Sequence, residues 1–111
     1  MATAMKSRCN RRGRLDFHEI NRAGMASLPA LLRRWLPDGR QVGREYVARN
    51  PRRADRRPGS FKINLRSGKW CDFATGDAGG DVVSLAAYLS GTGQGDAAKN
   101  LAAMLGVEPE R

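Results

Sequence analysis

The chain has few of the residues from which metal sites and disulfide frameworks are built. Its 111 residues include two cysteines and one histidine. A structural zinc site needs four Cys or His ligands, usually in two close pairs. Cys9, His18 and Cys71 form no such pair, and two distant cysteines are too few to stabilise a secreted miniprotein. The sequence therefore predicts no metal or other cofactor and favours a reducing cytoplasm.

Long apolar runs are also missing. No stretch approaches the roughly 18 consecutive apolar residues that a transmembrane helix needs. Basic residues near the N-terminus are not followed by the apolar segment of a secretory signal. We therefore expect a cytoplasmic protein without membrane contact. The length suits one domain, because two cores built from so short a chain would both be too thin.

What the chain does have is positive charge, unevenly distributed. There are 20 Lys and Arg against 11 Asp and Glu, a net charge of +9. Residues 1–70 carry 18 basic and 5 acidic residues, a net +13, whereas residues 71–111 carry 2 and 6, a net −4. Sixteen of the 20 basic residues are arginine, the side chain suited to bidentate phosphate contacts. This distribution favours a polyanionic partner.

The composition divides the chain into three parts. Residues 1–14 have almost nothing to bury and are predicted to form a disordered basic arm. Residues 15–106 are predicted to form a single domain, and residues 107–111 a frayed tail. Within the domain, residues 48–59 contain five arginines, two prolines and one glycine, which is typical of a loop.

Apolar periodicity predicts three to four helices. Asp16 is placed to cap the first, and an i, i+3, i+4, i+7 pattern from Leu28 to Trp35 predicts the second. Asp81 is placed to cap a third helix and Asp96 a fourth. The buried stripe of the fourth is expected to consist of Ala97, Leu101, Met104 and Leu105.

Strand signals are concentrated in one hairpin. Apolar residues from Phe61 to Leu65 alternate with polar ones, a turn follows, and residues 70–73 return as a second strand. Residues 42–47 are expected to add a short strand. The predicted fold class is therefore α+β, with a small antiparallel sheet of two to three strands packed against the helices.

Catalytic chemistry finds little support. His18 is the only imidazole and lies within a predicted helix. The glycine-rich segment 76–80 lacks the Lys-Ser/Thr of a phosphate-binding loop and is better explained as a tight turn beside a helix. Asp72, Asp77 and Asp81 are the one group that suggests a metal-dependent enzyme, although Asp81 already has a role as a helix cap. We expect a protein that is not an enzyme.

The strongest chemical signal is a basic surface formed by the arginine-rich loop and the polar face of the hairpin. Cations of this kind contact phosphates, and aromatic rings beside them stack on unpaired bases. The predicted nucleic-acid-binding residues are Arg49, Arg52, Arg53, Arg56, Arg57, Lys62, Arg66, Lys69, Trp70 and Tyr46.

Two motifs in the second half of the chain occur together in a known family. Ser60-Phe61 leads through Ser67-Gly68 into a strand, and Gly79-Gly80-Asp81 then opens a helix. In this order and spacing, residues 45–106 resemble the zinc-binding module of bacterial and phage DNA primases. The resemblance implies a zinc-ribbon-like hairpin and contact with single-stranded template DNA. Primer synthesis is not implied, since in primases it belongs to a separate polymerase domain.

The resemblance fails at the zinc ligands. The family's first Cys/His pair falls near Pro51 and Ala54, and its second pair falls on Phe73 and Gly76. None of these residues can bind zinc. The chain is therefore similar to a degenerate, metal-free relative in which the arginine-rich loop occupies the place of the first zinc knuckle.

The expected function is that of a non-catalytic module that binds nucleic acid, single-stranded DNA in the first place. The setting would be replication or a mobile genetic element, with a primase or helicase as a candidate protein partner. The alternative is a protein-interaction or inhibitor module whose basic face binds an acidic partner. The sequence does not indicate whether the ligand is DNA or RNA, which base sequence is preferred, or what the oligomeric state is.

Overall fold

A computed structural model describes residues 16–52 and 60–108 of the chain. Three predictions lie wholly or partly outside these residues: the basic arm, the centre of the arginine-rich loop and the last residues of the tail. Within the described ranges, no helix is long and apolar enough to cross a membrane.

The described residues form an α+β fold, as predicted. Two helices precede a five-stranded antiparallel sheet, whose strands follow one another in chain order, and two helices come after it. The elements are α1 Phe17–Ala26, α2 Leu28–Trp35, β1 Arg40–Val42, β2 Glu45–Ala48, β3 Phe61–Asn64, β4 Trp70–Asp72, β5 Ala78–Gly79, α3 Val82–Ser90 and α4 Gln94–Leu105.

The sheet has more strands than the two to three predicted from the sequence. The expected strand over residues 42–47 is divided by a turn at Gly43, whose positive φ of 63° bends the chain back into the β1–β2 hairpin. The glycine-rich segment contributes β5, which pairs with β4. The two additional strands, β1 and β5, have three and two residues, which is too short to show a clear alternation in sequence.

Side-chain caps fix where two of the helices begin. Asp16 accepts a hydrogen bond from the backbone N–H of Glu19, and Asp81 forms a capping box with Ser84 at the start of α3. Both caps were predicted. Helix α4, however, begins at Gln94 after Gly93, so Asp96 lies in its first turn rather than at its cap. Met104 was expected in the buried stripe of α4, but it is 43% exposed.

The sheet has two different faces. On one face, Tyr46, Ile63 and Trp70 pair across three strands and are buried. Most of the buried residues of the helices belong to the same core cluster as this face. The intervening residues of the strands point to the opposite side and are only half-buried. All four helices therefore pack on one side of the sheet.

The backbone of β5 passes directly over Trp70. A Cβ atom on Gly79 would lie 2.5 Å from Trp70 Nε1 and 2.5 Å from Ser84 Oγ, the two atoms that share a hydrogen bond of 3.0 Å. No side chain fits at this point without displacing that bond. The glycine-rich segment is therefore a close approach between hairpin and helix, as the sequence suggested.

We expect Gly79→Ala to lower the free energy of unfolding by about 2 kcal/mol, because the added methyl group overpacks the Trp70–Ser84 contact. Gly80→Ala is the matched control, since a Cβ there meets nothing within 4 Å. Denaturant unfolding of both variants measures the difference. Equal stabilities would show that the close approach does not exist.

Candidate nucleic-acid interface

The face of the sheet turned away from the helices is the candidate interface, and we call it the open face. The strand register places Arg40, Val47, Lys62, Cys71 and Ala78 in one row across all five strands, on the side opposite to the core. Of these, Val47, Lys62 and Cys71 are only half-buried, and none of the five belongs to the core cluster. The open face thus combines cations with apolar surface.

Lys62 and Phe73 are the central pair of this face. The Lys62 ammonium lies 5.5 Å from the centre of the Phe73 ring, a cation–π geometry. It also lies 4.0 Å from a carboxylate oxygen of Glu45, a half-exposed pair that contributes little to stability. The Phe73 side chain is 68% exposed. An aromatic ring open to solvent beneath a cation offers a flat surface next to a positive charge.

Further cations lie on or beside the same sheet. Arg40 and Arg49 are exposed, and the burial of Ala48 and Asn50 on either side directs Arg49 toward the open face. Arg66 and Lys69 are exposed in the turn between β3 and β4. Arg53, Arg56 and Arg57 lie outside the described residues. Arg40 itself was absent from the predicted set, because only the β1–β2 pairing reveals its place in the row.

The two predicted stacking platforms are placed differently from the expectation. Trp70 and Tyr46 are 5% and 6% exposed. The Trp70 indole donates to Ser84, and the Tyr46 hydroxyl donates to the Leu36 carbonyl over 2.7 Å. Both rings pair with Ile63 on the core face, so neither can stack on a base that binds at the open face.

Phe73 is the aromatic residue that the sequence analysis missed. It was treated as the end of a strand and as the position of a lost zinc ligand. The sequence did contain a signal for its orientation. Phe73 follows Cys71 by two residues, and residues two positions apart along an extended chain lie on the same side of the sheet, here the outer side. Its exposure was not apparent from composition.

Arg52 also departs from the prediction. Its Nη1 donates to the Tyr88 carbonyl oxygen over 2.7 Å, and its guanidinium lies 5.4 Å from the centre of the Tyr88 ring. A cation at this point satisfies a free carbonyl at the C-terminal end of α3. Arg52 is therefore fixed against a helix instead of joining Lys62 on the open face.

A buried polar network holds the first residues of the arginine-rich loop to the rest of the fold. The Asn50 amide donates to Asp72 Oδ2 and to the Tyr88 hydroxyl, each over 2.7 Å, and its carbonyl oxygen accepts the Arg52 N–H. Tyr88 in turn donates to Asp77 over 2.8 Å. Asn50 and Asp72 are buried. The network thus joins β2, β4, the β4–β5 turn and α3.

The two tyrosines of the core are held in their neutral form. Burial raises the pKa of Tyr88, the hydrogen bond from Asn50 opposes this, and Asp77 adds to it. Burial likewise raises the pKa of Tyr46. Because the folded-state pKa exceeds the unfolded value near 10.0, this contribution to stability is complete below that pH. It is lost as the pH rises through the folded-state pKa.

The three carboxylates that suggested a metal site have separate structural roles. Asp72 accepts from Asn50 and from the backbone of Ala74, Asp77 accepts from Tyr88, and Asp81 caps α3. In residues 16–52 and 60–108, no group of three or more His, Cys, Asp or Glu side chains converges as a metal site would require.

Comparison with known proteins adds no relative: no family model matches the chain, and no curated protein matches it significantly. The likeness to the primase zinc-binding module therefore stays a prediction. The assignment of the open face depends on its own geometry and charge.

Asn50→Ala is expected to lower the free energy of unfolding by about 2 kcal/mol, because it removes the donor that Asp72 and Tyr88 share in a buried site. Asn100→Ala, an exposed position on α4, provides the control and is expected to change stability by less than about 0.5 kcal/mol. Thermal or urea unfolding measures both. A loss for Asn50→Ala no larger than for the control would contradict the role of the network.

Proposed function

We propose that this protein is a non-catalytic module that binds single-stranded nucleic acid, DNA in the first place, on the open face of its sheet. The observation that carries the proposal is the exposed Phe73 ring beneath the Lys62 ammonium. Exposed aromatic rings that lie among cations stack on unpaired bases while the cations neutralise phosphates. A setting in replication or a mobile element, with a primase or helicase nearby, follows from the resemblance alone.

The charge of the face supports an anionic ligand. Arg40, Arg49 and Lys62 lie on or beside it. Among the described strand residues, Glu45 is the acidic one on this side, since Asp72 of β4 is buried on the core side. Most of the basic residues of the chain fall before position 71, the part that supplies β1, β2 and β3. Phosphates along a strand would release counterions on binding, so the affinity should fall steeply with salt.

The apolar part of the face supports a single strand over a duplex. Phe73 and Val42, 68% and 52% exposed, offer surface that a duplex, with its bases stacked inside, would leave unused. Unpaired bases can cover such surface, and each base–aromatic stack contributes about 1–3 kcal/mol. An acidic protein would use the same cations without needing the ring to be flat and aromatic.

Lys62→Ala should weaken binding of a labelled single-stranded oligonucleotide about fivefold at low salt, through the loss of one phosphate contact. It should also reduce the slope of log K against log salt by about 0.7. Lys99→Ala removes the same charge from an exposed site on α4 and should change neither quantity. Fluorescence anisotropy over a series of salt concentrations measures both variants. Equal effects of the two would indicate attraction by net charge alone.

Phe73→Leu keeps an apolar side chain but removes the stacking ring. It should weaken single-strand binding at least about fivefold while leaving binding to the matching duplex unchanged. Phe17→Leu, at a partly exposed phenylalanine of α1, is the control and should have no effect on either ligand.

The same titrations distinguish the alternative partner. If neither single strand nor duplex binds better than a generic polyanion such as heparin, the nucleic-acid proposal fails. A nuclease-resistant complex with an acidic protein, lost in Lys62→Ala, would then favour the protein-interaction function.

A further inference from the structure

A second site lies beside the open face, under the edge strand β1. It is a cavity of about 380 Å³, which we call the edge pocket. Its lining comes from α2, the α2–β1 turn, the first two strands and the β3–β4 turn: Pro29, Arg33, Pro37, Gly39, Arg40, Gln41, Tyr46 and Leu65. The volume falls within the range of about 300–1,000 Å³ that is typical of small-molecule sites.

The inner wall of the pocket is fixed by close packing. Gly39 approaches the Tyr46 ring so closely that a Cβ atom would lie 2.3 Å from its Cε2. The Tyr46 hydroxyl is held by the Leu36 carbonyl oxygen, and the Gly39 N–H also donates to that oxygen over 3.0 Å. Since these contacts tie the turn to the core, the pocket is preformed and needs no large rearrangement to accept a ligand.

Two guanidinium groups reach this pocket from different elements. Arg33 comes from the last turn of α2 and Arg40 from the start of β1, and both are exposed. Neither has an acidic partner among the described residues. The charges of Arg33 and Asp38 act in opposite directions on the pKa of Tyr46, which places both near the phenol. Cations therefore outnumber acids around the pocket by two to one.

Apolar groups make up part of the remaining lining. Pro29, Pro37 and Leu65 provide side chains without charge, and the Tyr46 ring contributes an aromatic edge. Gln41 donates to the Gly43 carbonyl oxygen and so keeps its own amide oxygen available as an acceptor. A ligand that matches this lining has a phosphate for the arginines, a flat ring for the apolar wall and a donor for Gln41.

We infer that the edge pocket binds one nucleotide, with its phosphate between Arg33 and Arg40 and its base against the apolar wall. Arg40 belongs both to the pocket and to the row of the open face, so a strand crossing the sheet would reach the pocket at β1. The ligand class rests on the proposed function. The nucleotide is either one residue of the bound strand or a free mononucleotide, and the phosphate and base contacts are the same in both.

The test is a titration of the full chain with each deoxynucleoside monophosphate, with deoxyadenosine and with inorganic phosphate. Binding is measured from the changes in the backbone amide chemical shifts. A monophosphate should shift the amides of Gly39 and Gln41 and should bind better than either fragment. Arg33→Ala should weaken this binding about tenfold, because it removes a charge-assisted phosphate contact. Arg34→Ala, the neighbouring exposed arginine that does not line the pocket, should change it by less than about twofold.

No binding of monophosphates at millimolar concentrations would overturn the inference. Inorganic phosphate binding as tightly as the nucleotide, or equal losses in the Arg33 and Arg34 variants, would overturn it too. Oligonucleotide binding by the same variants identifies the source. A selective loss in Arg33→Ala assigns the pocket to the strand, and unchanged oligonucleotide binding assigns it to a free nucleotide.

The two proposals fail separately in this design. Loss of the mononucleotide signal with intact, Lys62-dependent oligonucleotide binding would reject the pocket and keep the open face. Mononucleotide binding by a protein that does not bind oligonucleotides would keep the pocket and reject the open face as a nucleic-acid-binding site.

Discussion

The structure depends on one buried amide. Asn50 uses both of its N–H groups and its carbonyl oxygen, and through them it holds Asp72, Tyr88 and the Arg52 backbone in fixed positions. A carboxylate as deeply buried as Asp72 is tolerated only where donors are aimed at it. Because Phe73 follows Asp72 directly, the same bonds set where the exposed ring leaves β4. The candidate interface is thus positioned from the core beneath it.

Under the predicted likeness to the primase zinc-binding module, the network would join the segments that a zinc ion joins in that module. Asn50, Asp72 and Asp77 each lie one position from a residue where the resemblance places a zinc ligand. Hydrogen bonds replace a metal cross-link only when they are shielded from water. Tyr88 provides part of that shield, since its ring lies 4.7 Å from Trp70 and 6.1 Å from Phe61. Leu31 and Leu32 of α2 enlarge the same core.

Features set by near neighbours in sequence could be predicted, and those set by register or distant contacts could not. The caps at Asp16 and Asp81 and the β3–β4 hairpin depend on residues a few positions apart, and all are present. Trp70 and Tyr46 were expected at the surface. The alternation within a strand shows which of its residues share a side, but not which side is buried. Only the pairing of both residues with Ile63 places them on the core side. Arg52 was misplaced because its partner Tyr88 lies 36 positions away.

The residues that carry the proposals are those that the fold needs least. A sheet with one covered face gains nothing from an exposed phenylalanine on the other, and polar residues are the usual occupants of such a face. Cations there do have a structural use, since they discourage pairing between sheets of different molecules. That use needs neither an aromatic ring beside Lys62 nor two pocket-lining arginines that have no acidic partner within the described part of the chain. A ligand with phosphates and flat rings accounts for the exposed ring, for the cations of the open face and for the arginines of the pocket.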